Sequence, residues 1–238
     1  MNHGISNSFL YASSRILNYS SCATKGHPSC GTGFWAKNSK GEICLITNKH
    51  VLEHSEDSNR FCDFFDIYIW GASNGNPKEK PVGYSIYRIS SFIPLVPNNL
   101  LDDIVCVKPL KNESLSSSKS NCLRIDFFFP YSIFATQSDF DNRLSVCDTL
   151  AFIGYPEPFY DTERQAPILR SGIIASDPRF NFMEKQLGNC LAYEAFSLGG
   201  SSGSPVFSIQ QGFQVGSGLH APDGFYRELK LIGINAGY

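Results

Sequence analysis

Short apolar runs broken by turn residues recur along this chain, and no segment sustains an apolar repeat of 3.6 residues. That restricts it to β-rich architectures. A helix that buries one face needs apolar side chains at i, i+3, i+4 and i+7, whereas a strand needs only a brief run bounded by Gly, Pro, Asn, Asp or Ser. The runs form two groups. The first covers residues 32–36, 42–47, 64–70, 84–94 and 103–107, and Asn38-Ser39-Lys40-Gly41 turns its first two runs into a hairpin. The second covers residues 146–154, 167–175, 190–196, 206–209 and 229–235. Residues 111–121, rich in Ser, Asn and Lys, read as the linker. Two groups of short strands predict an all-β chain, built as two small antiparallel barrels or a sandwich. Residues 1–25 are Ser/Asn-rich and weakly patterned, and read as an N-terminal arm or short helix on the main body. The expected bodies are 26–115 and 116–238.

At 238 residues with 42% hydrophobic and 13% aromatic side chains, the chain can bury a substantial core. A net charge of −2 offers no basic field for nucleic acid or an anionic membrane. No apolar run approaches the roughly 20 residues of a membrane-spanning helix. The first thirty residues hold no apolar core of the signal-peptide kind, so the chain reads as non-secreted. There are eight cysteines but no Cys-x-x-Cys pair, which argues against a zinc site of the usual spacing. Cys44 and Cys106 lie inside apolar runs, where a free cysteine acts as a small hydrophobe. Reduced thiols and a cytoplasmic setting follow as expectations.

The stretch Leu198-Gly199-Gly200-Ser201-Ser202-Gly203-Ser204-Pro205 combines glycines that allow a sharp bend, adjacent serines and a proline that sets the exit into an apolar strand. Alone it is as much a simple Ser/Gly turn as a nucleophile loop. A nucleophilic serine needs a base and an acid to orient that base. His50 follows an apolar strand and opens the Val51-Leu52 turn, whereas His54 stands in a polar stretch between Glu53 and Ser55. Asp103 abuts the apolar Ile104-Val105, a position where a carboxylate is costly to bury unless hydrogen-bonded, and Asp102 reads as the turn residue beside it.

Three stretches, in order, resemble the trypsin-like serine proteases, closest in look to the Deg-type and bacterial branches. Gly31-Thr32-Gly33-Phe34 with Thr47-Asn48-Lys49-His50-Val51 resembles their glycine-bearing strand pair and histidine turn. Asp103-Ile104-Val105 resembles their aspartate strand, and Gly200-Ser201-Ser202-Gly203-Ser204-Pro205 their nucleophile loop. The resemblance runs from about Gly31 to Gly237. It implies two six-stranded antiparallel β-barrels, a serine endopeptidase activity and a His50–Asp103–Ser202 triad. It also implies an oxyanion hole made by the N–H groups of Gly200 and Ser202, and a primary pocket touched by Phe196, Ser197, Asn235, Ala236 and Gly237. No acid lies at 196–197, so a small or apolar P1 residue is expected, unless Phe196 points into the barrel core instead.

The chain departs from that family at three places. Ser201 replaces the aspartate that pairs with a new N-terminus in zymogens, so that form of activation is not expected. Val51, not Cys, follows His50, so the usual disulfide is missing. The sequence ends at Tyr238, near the strand that lines the pocket, whereas the family continues with another strand and a helix. The second barrel is therefore expected to be incomplete, or completed by the N-terminal arm or by the 210–227 insertion.

The chemistry requires neither metal nor organic cofactor, and activity rises through roughly pH 6–7 as a histidine base loses its proton. The expected partners are a protein or peptide substrate and a regulatory partner or further domain, with no nucleic acid and no membrane. The alternatives are a catalytically silent peptide-binding module and an esterase using the same triad.

Overall fold

The computed structural model describes residues 5–21, 27–54, 57–76, 80–115, 123–212 and 226–236. Eight strands make up the first half: β1 (Ser13–Asn18), β2 (Ser29–Lys37), β3 (Ile43–Thr47), β4 (Glu53–His54), β5 (Asp57–Phe61), β6 (Phe65–Ala72), β7 (Pro81–Leu95) and β8 (Val105–Ser114). Six of them close an antiparallel barrel in the order β1-β2-β3-β8-β7-β6, while β4 and β5 form a small hairpin outside it. Ile16, Trp35, Leu45, Phe65, Ile67, Ile89, Val105 and Val107 are fully or nearly fully buried in its core.

The β2–β3 hairpin has a local cause. The Asn38 side-chain oxygen accepts the N–H groups of Lys40 and Glu42, both at 2.9 Å, and Gly41 takes φ +86°. An Asx-type turn closed by a left-handed glycine returns the chain without strain.

The N-terminal segment is not a mere arm. Residues 13–18 form β1, which pairs with both β2 and β6 and closes the first barrel. The polar look of Ser13-Ser14-Arg15 conceals this strand. Ser13 and Ser14 are fully buried, and Ser14 Oγ accepts the indole N–H of Trp35 at 3.0 Å. The expected linker also begins later, since residues 111–114 continue β8 against β7. Residues 116–122 lie outside the described residues.

The second half forms a five-stranded sheet of β9 (Thr149–Gly154), β10 (Ile168–Ile174), β11 (Tyr193–Ala195), β12 (Pro205–Ser208) and β13 (Lys230–Ile234), in the order β11-β10-β9-β12-β13. The chain is thus all-β, with a closed six-stranded barrel and a sheet whose edges, β11 and β13, are not paired to each other among the described strands. Because β1 is spent on the first barrel, the described N-terminal residues add no strand to this sheet. Residues 213–225 of the 210–227 insertion lie outside the described residues. Phe34, Phe129, Ile153, Phe207 and Leu231 pack into one cluster that joins barrel to sheet, with Phe9 stacked on Phe207 and edge-on to Phe129.

Cys30, Cys44, Cys62, Cys106, Cys147 and Cys190 are free thiols. Among the described residues no helix is long and apolar enough to cross a membrane, and no three His, Cys, Asp or Glu side chains gather as a metal site.

Candidate active site

His50 sits in the single helical turn Lys49–Leu52 that follows β3. Val51 and Leu52 are buried and anchor the turn in the barrel core, which leaves His50 facing outward with 41% of its side chain exposed. Asp103 lies two residues before β8, the strand paired with β3. His50 Nδ1 lies 2.6 Å from Asp103 Oδ2, and the His50 backbone N–H donates to Asp103 Oδ1 at 3.2 Å. A carboxylate only accepts, so Nδ1 carries the proton in this pair and Nε2 of a neutral ring is the free acceptor. Asn48 Nδ2 donates to the Asp103 carbonyl at 2.6 Å, so the aspartate is held at both its side chain and its backbone. Asp102 turns away and accepts the Asn189 N–H at 2.7 Å and Nδ2 at 2.9 Å.

The acid beside this pair is affected by it. Burial pushes the Glu53 carboxyl above its ordinary range, and the nearby Asp103 charge pushes it further.

The serine turn lies against the same barrel. Gly203 has φ +85°, and a Cβ there would come within 1.8 Å of the Thr32 carbonyl and 2.4 Å of Thr47 Oγ1, three residues before His50. Gly200 has φ +84°, and a Cβ there would come within 2.3 Å of the Tyr155 carbonyl. No other residue type fits either position. Of the adjacent serines, Ser201 and Ser204 are buried at 1% and 0% exposure, whereas Ser202 is half-buried. The hydroxyls of Ser201 and Ser204 are buried, which leaves Ser202 as the accessible serine of the trio.

The backbone of this turn is pinned at successive carbonyls. Gly199 O accepts the Glu157 N–H at 2.9 Å, and Gly200 O accepts Thr32 Oγ1 at 2.7 Å. Ser201 O accepts Asn235 Nδ2 at 3.0 Å and the Ser204 N–H at 3.1 Å, and Ser202 O accepts the Thr32 N–H at 2.7 Å. In a trans peptide the N–H points opposite to the C=O, so each bond also aims the following N–H. The N–H groups of Ser201, Gly203 and Ser204 donate to Leu198, Asn235 and Ser201. Those of Gly200 and Ser202 make no internal hydrogen bond among the described residues.

A cavity of about 520 Å³ opens beside the turn, lined in part by Asn48, Asp103, Tyr193, Ser197, Asn235 and Ala236. Asn235 is 2% exposed and serves the turn more than the cavity surface. Besides Ser201 O, its Nδ2 reaches Ser197 Oγ at 3.2 Å, and its Oδ1 accepts the Tyr193 hydroxyl at 2.5 Å. Burial pushes that Tyr193 hydroxyl up to about 12, so it remains a donor at neutral pH. Phe196 does not line the cavity and does not enter the core. It is 71% exposed, with the Arg170 guanidinium 5.3 Å over its ring and Arg170 Nη1 bonded to its carbonyl. A cation–π contact holds it outward. Gly237 lies outside the described residues.

Sequence reasoning passed over Thr32, Asn48 and Glu157, each of which holds part of the site. Thr32 has a trace in the sequence: it stands between two glycines on a strand, a mark of close backbone approach. Asn48 and Glu157 act through bonds to residues far away in sequence and carry no local mark.

No protein-family model matches this sequence, and no curated protein does. Among solved structures, that of Deg5 is 15% identical over 84% of this chain and 75% of its own, with a TM-score of 0.45. A thermostable serine protease, AL20, from an extremophilic microorganism is 13% identical over 84% of this chain and 80% of its own, with a TM-score of 0.49.

Proposed function

We propose that this chain is a trypsin-like serine endopeptidase in which His50, Asp103 and Ser202 form the triad. The observation that carries the reading is the Asp103–His50 clasp at 2.6 Å beside a turn that exposes Ser202 and leaves two backbone N–H groups unengaged. Ser202 Oγ attacks the scissile carbonyl carbon while His50 Nε2 takes its proton. Asp103 holds the ring and steadies the imidazolium. The carbonyl oxygen becomes an oxyanion that accepts from Gly200 N–H and Ser202 N–H. Loss of one such donor costs on the order of 3 kcal/mol of transition-state stabilisation. The intermediate collapses by breaking the C–N bond, and His50 returns its proton to the leaving amine. Water, deprotonated by His50, then releases the acyl group from Ser202. The residues that touch the peptide on the cavity side are Ser197 and Ala236, with Asn235 behind them.

A fluorophosphonate probe tests the reading. The expected result is stoichiometric labelling of Ser202, lost in Ser202→Ala and strongly reduced in His50→Ala. An unlabelled wild-type protein with intact fold overturns it. One competing reading is a silent module that binds peptides without cleaving them, favoured by β11, whose outer side is paired to no other described strand. Peptide binding with no labelling would support that module. Labelling with turnover of esters but of no peptide would support an esterase.

A further inference from the structure

The two oxyanion donors differ in how their peptides are secured. The Ser201–Ser202 peptide is held by two bonds from within its own sheet, through Asn235 and Ser204. The Gly199–Gly200 peptide is held at its carbonyl by one backbone donor, the Glu157 N–H at 2.9 Å. Glycines flank this peptide on both sides, and a Cβ at Gly199 would meet open space. With no side chain on either flank, such a peptide has rotational freedom that other residues lack, and rotation would replace the N–H with a carbonyl oxygen. An outside latch must therefore set its orientation.

Glu157 is that latch, and it is held from the other body. Arg15, on β1, bonds Glu157 Oε1 through Nη2 at 2.7 Å. The guanidinium is packed by the Tyr160 ring at 4.9 Å and the Tyr68 ring at 5.6 Å. Its Nη1 reaches Gln165 Oε1 at 3.4 Å, and its Nε reaches Cys30 Sγ at 3.3 Å. Only 14% of the Arg15 side chain is exposed, against 47% for Glu157. The segment between them is fastened as well, since the Tyr155 N–H donates to Thr32 Oγ1 at 3.1 Å and the Tyr155 hydroxyl to Ser13 O at 3.4 Å. The burial of the Cys30 thiol raises it to about 11, which keeps it neutral next to the guanidinium, so Glu157 is the anion that Arg15 meets.

We infer that Arg15 is a positioning residue for the Gly200 oxyanion donor: its ion pair with Glu157 fixes the loop whose backbone N–H latches the Gly199 carbonyl. The kinetic consequence rests on the hydrolase reading above; the structural coupling does not. The pair spans the barrel and the sheet, so relative movement of the two bodies acts on the oxyanion loop through it.

The test compares Arg15→Met, Arg15→Lys and Glu157→Gln with the wild-type chain, using fluorophosphonate inactivation kinetics and amide hydrogen exchange over residues 155–203. In Arg15→Met and Glu157→Gln the maximal inactivation rate should fall roughly tenfold, the size expected when a charge-assisted hydrogen bond is lost, with probe affinity unchanged. Exchange should quicken at the hydrogen-bonded amides of 157 and 201 and stay unchanged at 50–52. Arg15→Lys keeps the charge and should recover part of the rate. Unchanged exchange at 157 and 201 in both Glu157→Gln and Arg15→Met overturns the coupling. So does a fall in probe affinity with no change in maximal rate. If the wild-type chain itself is not labelled, the hydrolase reading fails, and exchange alone then decides whether Arg15 governs the loop.

Discussion

The barrel and the sheet hold their parts of the site in opposite ways. The barrel is closed, and the groups that bond His50 and Asp103 directly all belong to it: the β3 exit, the turn anchored by Val51 and Leu52, and Asn48. Among the described strands the sheet does not close between β11 and β13, and the Ser202 turn that it carries depends on the barrel for two of its carbonyl partners, both on Thr32. Closure removes edges and lets a body hold a side chain by itself. An open sheet has to borrow rigidity, and here it does so across the interface where Phe34, Phe129 and Phe207 meet.

The sharpest test of this contrast is Ser202→Ala, which should lower turnover by about 10⁶-fold with an unchanged melting temperature. Next, Asp103→Asn should lower turnover by about 10⁴-fold, because an amide in place of the carboxylate favours the wrong histidine tautomer. A rate within tenfold of wild type for Asp103→Asn would break the claim that the barrel supplies an oriented base.

The two bodies are compared directly by a pair of substitutions. Thr32→Val leaves the Gly200 carbonyl without its hydroxyl donor, and Ser14→Ala leaves the Trp35 indole N–H without its acceptor. Each should lower unfolding free energy by about 1–3 kcal/mol in denaturant titration. Only Thr32→Val should also slow acylation of Ser202, since Ser14 lies wholly inside the self-supporting barrel. Equal slowing in both would show that general stability, not the cross-body bond, sets the rate.

The smallest effect concerns the helix Gln137–Asn142, on the sheet side. Asp139 forms a capping box with Thr136, accepting its N–H and hydroxyl, both at 2.8 Å. Burial raises the Asp139 carboxyl, but the Thr136 bonds and the charges of Lys230 and Arg143 outweigh it, and the net direction is below the ordinary range. A carboxyl depressed on folding stabilises fully above its unfolded pKa, about 4, and that contribution is lost as pH falls through the lower folded value. Asp139→Asn should therefore cost about 0.5–2 kcal/mol at pH 7 and much less near pH 2. A pH-independent difference would break this assignment.

Much of this arrangement was legible in the residues. Five runs in the second group anticipate β9 to β13, since each is apolar and bounded by turn residues. The hairpin around Asn38 and Gly41 was equally clear, because its hydrogen bonds are local. β1 was not, because its buried serines and largely buried Arg15 break the alternation that marks a strand. Phe196 misled for a related reason. Its apolar side chain suggested a pocket or a core, and a distant Arg170 drew it to the surface.

The sequence by itself determined the β-rich class, the two groups of strands, and which His, Asp and Ser stand in matching local settings. Those features rest on short-range chemistry: alternation, turn residues, and glycines required at φ near +85°. Only the tertiary structure decided that the N-terminal segment completes the barrel, that Asn48 holds the Asp103 backbone, and that Thr32, Asn235, Glu157 and Arg15 support the loop. These are bonds between residues tens to well over a hundred positions apart. Nothing local encodes such pairings, because they exist only once the barrel and the sheet have packed together.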